Sequence, residues 1–320
     1  HKTLDRSKAK EVLVNISKGA YNESEIASFI TVFLMRSITI AELEGFRDAL
    51  LDLCLRVDLN GHSVIDIVGT GGDGKNTFNI STLSCFIVAG TGQKVAKHGN
   101  YGATSISGAS NLMEQMGYKF KTDNGLLKKE IEEANICFLH APIFHPALKT
   151  VGPIRKNLAI RTFFNMLGPL VNPASPAYQL IGVFNLEMAR MYNYLLQQTG
   201  KAFTIIHGLD GYDEISLTND TKVITAAGER VMTPEQLGKR LVHAEDIHGG
   251  NSVEESGKIF RKILQGKGTW AQNAVVLANA AMGLHCTGKY TTYGDAYQAA
   301  VESLESGRAA LSLQKLISLQ

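Results

Sequence analysis

Four glycines, an acid and a lysine crowd into eight residues at Gly69-Thr70-Gly71-Gly72-Asp73-Gly74-Lys75-Asn76. This segment follows the β-branched run Val64 to Val68 and precedes a helix expected to start near Ser81. A glycine turn between strand and helix bares main-chain N–H groups and the positive end of a helix dipole, which together hold phosphate. From Gly74 through Met113 there is no Asp or Glu in 40 residues, although 30 acids in 320 residues would place about four there. The same window holds Lys75, Lys94, Lys97 and His98, with hydroxyls at Thr77, Ser81, Thr82, Thr104, Ser105 and Ser107. That is a surface suited to an anion. A buried core of small neutral residues is the competing reading, and Lys97-His98-Gly99-Asn100 opposes it because such groups are costly to bury unpaired.

Two better-known phosphate motifs fail on inspection. Gly69, Gly71 and Gly74 fit G-x-G-x-x-G, but no acid lies about 20 residues on to hold a ribose hydroxyl. Gly69 to Lys75 imitates a P-loop, but Asn76 stands where a Ser or Thr must meet magnesium. A second chemical segment, Gly208-Leu209-Asp210-Gly211-Tyr212-Asp213-Glu214, follows the apolar run Phe203 to Ile206. Loops at the same edge of a parallel sheet converge, so Asp213 and Glu214 can approach the glycine loop and offer hard oxygen ligands to magnesium. Taken alone, the loop also reads as a solvated acidic turn. Arg155, Lys156 and Arg161 lie beside the aromatic segment Phe163-Phe164, where a guanidinium can grip a carboxylate next to a ring. The residues alone do not say which of the three points inward.

These groups need a frame. Residues 1 to 60 carry only helical periodicity, with capping-box spacing at Asn22 with Glu25 and at Thr39 with Glu42. Beyond them, strand-like runs at 64–68, 136–139, 179–183 and 202–206 alternate with helical segments. The expected fold class is α/β: a small all-helical N-terminal domain and a larger α/β domain with a mostly parallel central sheet. Asn172-Pro173-Ala174-Ser175-Pro176 breaks the pattern, and a crossing between lobes is expected there. The expected boundaries are a helical domain at 1–65, with an inserted helical segment at about 165–190, and an α/β domain at 66–164 and 191–320.

The balance of 32 Lys plus Arg against 30 Asp plus Glu, net +2, excludes a polybasic binder and gives an anionic membrane little to attract. The four cysteines are widely spaced with no CxxC pair, which excludes zinc fingers and a disulfide scaffold and suits a reducing cytoplasm. No apolar run reaches the roughly 18 residues a membrane span needs. The first residues read as a trimmed start, with His1 given no functional weight.

Gly69-Thr70-Gly71-Gly72-Asp73, Asn79-Ile80-Ser81-Thr82, Lys97-His98-Gly99-Asn100, Arg161 to Asn165 with Gly168-Pro169-Leu170, and Asp213-Glu214 stand in the order and spacing of anthranilate phosphoribosyltransferases. The chain resembles that family nearly end to end. The resemblance implies a nucleoside phosphorylase/phosphoribosyltransferase-like fold and transfer of the phosphoribosyl group of phosphoribosyl pyrophosphate to the amine of anthranilate, in tryptophan biosynthesis. It implies Mg2+, one or two ions, and a homodimer through the helical domain, with no nucleic-acid or membrane partner. Carried over by position, Gly69, Thr70, Gly71, Gly72, Asp73, Thr77, Asn79, Ser81, Thr82 and Lys97 would bind phosphoribosyl pyrophosphate. Gly69, His98, Asn100 and Arg155 would line the anthranilate site, whereas Lys156 and Arg161 have no role toward the carboxylate. Ser81, Asp213 and Glu214 would ligate the metal.

Departure of the pyrophosphate builds negative charge, so positioning and preorganised positive groups should carry the step, with no single indispensable general base. One departure stands out: Tyr101 and the run Gly102-Ala103-Thr104-Ser105 replace the family's usual arginine and more hydroxyl-rich continuation. The rival readings are a pyrimidine nucleoside phosphorylase of the same fold and a non-catalytic nucleic-acid-binding relative.

Overall fold

In the computed structural model, which describes residues 2–102 and 105–320, three helices open the chain at Arg6–Ser17, Glu23–Met35 and Ile40–Leu53. The second and third start at the two capping boxes, Asn22 with Glu25 and Thr39 with Glu42, each satisfying two orphan N–H groups reciprocally. His1, Ala103 and Thr104 lie outside the described residues.

A seven-stranded sheet follows: β1 Ile65–Gly69, β2 Val95–Gly99, β3 Ile136–His140, β4 Tyr178–Gly182, β5 Ala202–Gly208, β6 Thr221–Thr225 and β7 Gly228–Met232. Its order is β3-β2-β1-β4-β5-β6-β7. The first five strands are parallel and the last two antiparallel. The order reverses between β1 and β4, which lie side by side with Gly69 opposite Gly182. Open parallel sheets bind ligands at the carboxyl ends of strands flanking such a reversal.

Successive strand residues face opposite sides. Ile65, Ile67, Leu180 and Ile206 join a core with helices Ile80–Gly90, Trp270–Cys286, Tyr293–Glu305 and Arg308–Ser318. Ile181, Val183, Phe203 and Ile205 turn the other way, toward helix Leu186–Gln197 and the N-terminal helices. Burial on both faces explains why these strands read as continuous apolar runs. β2 was not anticipated as a strand because it carries Lys97, His98 and Gly99, residues that look like loop until their buried partners are known.

The inserted helical segment expected at about 165–190 is corrected. That span holds two short 3-10 turns, Phe163–Met166 and Gly168–Leu170, and then the central strand β4. Helix Leu186–Gln197 begins only at the end of that span, and two later helices share the apolar cluster of the N-terminal bundle: Val151–Leu158, through Val151 and Ile154, and Leu186–Gln197, through Met188, Tyr192 and Leu195. The ring of Phe163 stacks on Phe46 with centroids 4.6 Å apart and lies 4.7 Å from Phe33, so aromatic packing ties 163–166 to the bundle.

Candidate functional site

A cleft of about 270 Å³ opens at the carboxyl ends of β1 and β2, between the sheet, the loop after β5 and the segment 141–171. Its wall includes Gly69, Thr70, Gly71, Gly72, Asp73, Thr77, Asn79, Ser81, Thr82, Lys97, His98, Asn100, Arg155, Asp213 and Glu214. Every binding residue expected from the sequence therefore lines one cavity.

The glycine loop is locked from several sides. Thr70 donates its main-chain N–H to the Gly182 carbonyl at 2.9 Å, and Gly71 donates its N–H to Asp213 Oδ2 at 2.8 Å. Gly71, Gly72 and Gly74 have φ of +61°, +76° and +74°, a left-handed path that other residues adopt only under strain. Helix Ile80–Gly90 starts at the cleft with no side-chain cap: Asn79 uses its amide on the Ser107 carbonyl instead, at 2.8 Å. Ile80 donates its N–H to the Phe78 carbonyl, and among the described residues the N–H groups of Ser81 and Thr82 remain available to an anion.

Buried polar atoms without a partner concentrate here. Thr70 Oγ1, Asn79 Oδ1, Thr82 Oγ1, Ser107 Oγ and Glu214 Oε2 all lie in the cleft wall with none among the described residues. Leaving such groups unsatisfied is costly, so their convergence marks a place where a polar ligand completes the structure.

At the opposite side of the loop, Asp73, Asp213 and Glu214 bring carboxylate oxygens within 4.8 Å of one another. Burial, and then the neighbouring Asp213, push the Asp73 carboxyl up to about 7. Burial likewise raises Asp213, and burial followed by the two neighbouring acids raises Glu214 well above the usual carboxylate range. Three carboxylates so placed repel one another unless protonated or bridged by a cation, and hard oxygens with an adjacent phosphate site suit magnesium. Ser81 Oγ lines the same cleft, 3.4 Å from Lys97 Nζ. Lys97 is 2 % exposed, and its ammonium also donates to the Ile67 carbonyl at 2.8 Å.

Toward the helical side, His98 is buried and its Nδ1 lies 3.1 Å from the Gly168 carbonyl. Burial, aided by His145, pushes the His98 imidazole down to about 3, so it is neutral at physiological pH and its Nδ1 carries the proton toward that carbonyl. Among the described residues Nε2 is left without a partner. Arg155 sits over the Phe164 ring at 5.3 Å and donates to Asn165 Oδ1 at 3.3 Å. Of the three cationic candidates, Arg155 alone lines this cleft; Arg161 instead donates to the Gly72 carbonyl. Tyr101 lies at the rim, its hydroxyl donating to Glu114 at 2.9 Å and its ring edge-on to His140.

Sequence reasoning placed Asp73 in the loop but missed its membership of the acidic triad. It also missed Asp66, which is fully buried and accepts from His98 N at 3.2 Å and Asn172 Nδ2 at 2.8 Å. The only signal was an acid inside an apolar strand.

A strand-reversal cleft with a glycine anion loop, an acidic triad and an added helical bundle defines a class. Residues 61–310 match the model of the glycosyl transferase family a/b domain, and residues 1–54 match that family's helical bundle domain. The anthranilate phosphoribosyltransferase of Flavobacterium johnsoniae is 59% identical over 319 residues, covering 100% of this chain and 96% of that protein. The Thermus thermophilus anthranilate phosphoribosyltransferase structure superposes with a TM-score of 0.92 at 31% identity, covering 99% of this chain and 96% of that one. The Saccharomyces cerevisiae enzyme in complex with PRPP and Mg gives 0.91 at 29% identity, with 99% and 93% coverage. The chain belongs to the anthranilate phosphoribosyltransferase family.

Proposed function

We propose that this chain transfers the phosphoribosyl group of phosphoribosyl pyrophosphate to the amine of anthranilate, releasing pyrophosphate. The observation that carries the reading is the shared wall of the cleft: polar atoms on the β1 loop and helix start that lack a partner among the described residues face one cavity with Arg155, His98 and the acidic triad.

In this reading the loop 69–73, through the N–H groups of Gly72 and Asp73, and the start of helix Ile80–Gly90, with Thr77, Asn79, Ser81, Thr82 and Lys97, hold the phosphates. Arg155 grips the anthranilate carboxylate beside Phe164, while Gly69, His98 and Asn100 shape the ring slot. Breaking the C1′–O bond leaves positive charge on the ribose and negative charge on the diphosphate, so fixed positive groups at the leaving group lower the barrier most. Asp213 and Glu214, with Asp73 beside them and Ser81 in the same cleft wall, would hold one or two magnesium ions. A bound magnesium supplies neutralisation of diphosphate charge. The aryl amine is neutral and nucleophilic already, and a His98 held neutral with Nδ1–H on Gly168 orients the amine rather than serving as an indispensable base.

The exposed side chains Val32, Leu34 and Met35 on helix Glu23–Met35 support a homodimer through the helical bundle, and the free thiols support a cytoplasmic setting. Among the described residues, no helix is long and apolar enough to cross a membrane. The reaction is tested by mixing protein, anthranilate, phosphoribosyl pyrophosphate and magnesium and following the loss of anthranilate fluorescence. Turnover of uridine with phosphate, and none of anthranilate, would establish the phosphorylase reading instead. Light scattering reads the dimer directly.

A further inference from the structure

Arg161 lies outside the anthranilate slot, between helix Val151–Leu158 and the turn Phe163–Met166, on the segment that packs with the helical bundle. Its Nη1 nonetheless donates to the main-chain carbonyl of Gly72, in the middle of the glycine loop of the α/β layer. Its guanidinium also rests over the Phe184 ring, 5.1 Å from the centroid, just past the end of β4. A Cβ on Gly72 would come within 3.2 Å of Arg161 Cδ, so the side chain lies close along the loop.

In a trans peptide the C=O and N–H point in opposite directions. Holding the Gly72 carbonyl toward Arg161 therefore aims the N–H of Asp73 the other way. On the far side, Asp213 holds the N–H of Gly71. The intervening residue is a glycine in the left-handed region, where nothing intrinsic to the chain prevents the peptide from flipping.

We propose that Arg161 is a positioning residue for phosphoribosyl pyrophosphate. It fixes the 72–73 peptide so that one main-chain N–H stays aimed at the diphosphate, and it does this from the layer that carries the anthranilate slot. The link to that slot is short. Thr162 donates its N–H to Asn165 Oδ1 at 3.0 Å, and the same oxygen accepts from Arg155 at 3.3 Å. The inference rests on the reading of 69–73 as the diphosphate loop.

The test compares steady-state kinetics of wild type, Arg161→Ala, Arg161→Gln and Arg161→Lys, with Gly71→Val as a loop control. Arg161→Ala should raise KM for phosphoribosyl pyrophosphate about tenfold, the worth of one charge-assisted hydrogen bond at an exposed site. KM for anthranilate should move less than about threefold, and Tm should stay near wild type. Arg161→Gln, a neutral donor, should recover part of the loss. Three results would overturn the proposal: an unchanged KM for phosphoribosyl pyrophosphate, equal rises in both KM values with a lowered Tm, or recovery by Lys but not Gln, which would make Arg161 a charge on the ligand itself. If Gly71→Val also leaves that KM unchanged, the loop reading fails with it. If Gly71→Val raises it and Arg161→Ala does not, only the role of Arg161 falls.

Discussion

The main-chain N–H of Gly71 meets Asp213 Oδ2 at 2.8 Å, joining the loop after β1 to the loop after β5 across 142 positions of sequence. The loop proposed to bind the anion and the acids proposed to hold a cation are thus joined by one hydrogen bond, close enough for a single magnesium diphosphate to touch both segments.

That contact depends on an absent side chain. A Cβ on Gly182 would fall 1.6 Å from the Asp213 carbonyl oxygen, and backbone cannot yield as a flexible side chain does. Gly182→Ala should therefore displace Asp213, lowering kcat/KM by about a hundredfold or more. Circular dichroism should show the secondary structure retained, and magnesium titration should show weakened activation.

Removing the metal is a separate check. Chelation should abolish turnover, and added magnesium should restore it. Asp213→Asn should shift the magnesium dependence to higher concentration and lower kcat, because the diphosphate then leaves with less of its charge neutralised.

His98 supplies the pH prediction. Its imidazole falls from an ordinary 6.5 to about 3 in the fold. The unfolded chain thus takes up a proton that the native one refuses, and stability declines as pH drops from about 6.5 toward 3. His98→Gln should remove that part of the acid slope in urea denaturation. The same variant should keep kcat within about tenfold while KM for anthranilate rises, since a true general base is worth a hundredfold or more. A larger collapse of kcat with both substrates still bound would sink the positioning account.

Glu42 carries the acid stability of the helical bundle. Fully buried, it caps Thr39, accepts from Leu4 N at 3.0 Å and pairs with Arg36 at 2.6 Å. Burial opposes its ionisation, but the Arg36 and main-chain donors prevail and lower its carboxyl to about 2. A depressed carboxylate stabilises the fold above its unfolded value near 4.5, and that contribution is lost as pH falls to about 2. At neutral pH it amounts to roughly 3 kcal/mol. Glu42→Gln should cost a similar amount in chemical denaturation at pH 7 and almost nothing near pH 2.

What the sequence determined by itself is what local chemistry can encode. The capping boxes at Asn22 and Thr39, the apolar strands β1, β3, β4 and β5, the glycine loop and the acid-free window are legible because each depends on neighbours a few residues away. Tertiary structure decided the rest. Lys97 and His98 form a strand only because Ile67, Asp66 and Gly168 meet them from distant segments. Asp73 becomes part of an acidic triad only when the β5 loop returns beside it. Arg155 reaches the cleft from a helix whose Val151 and Ile154 join the bundle core, whereas Arg161, past the end of that helix, turns to the Gly72 carbonyl of a loop far away in sequence. Hydrophobic period and turn chemistry fix elements, whereas the meeting of side chains far apart in sequence is fixed only by how the layers close on one another.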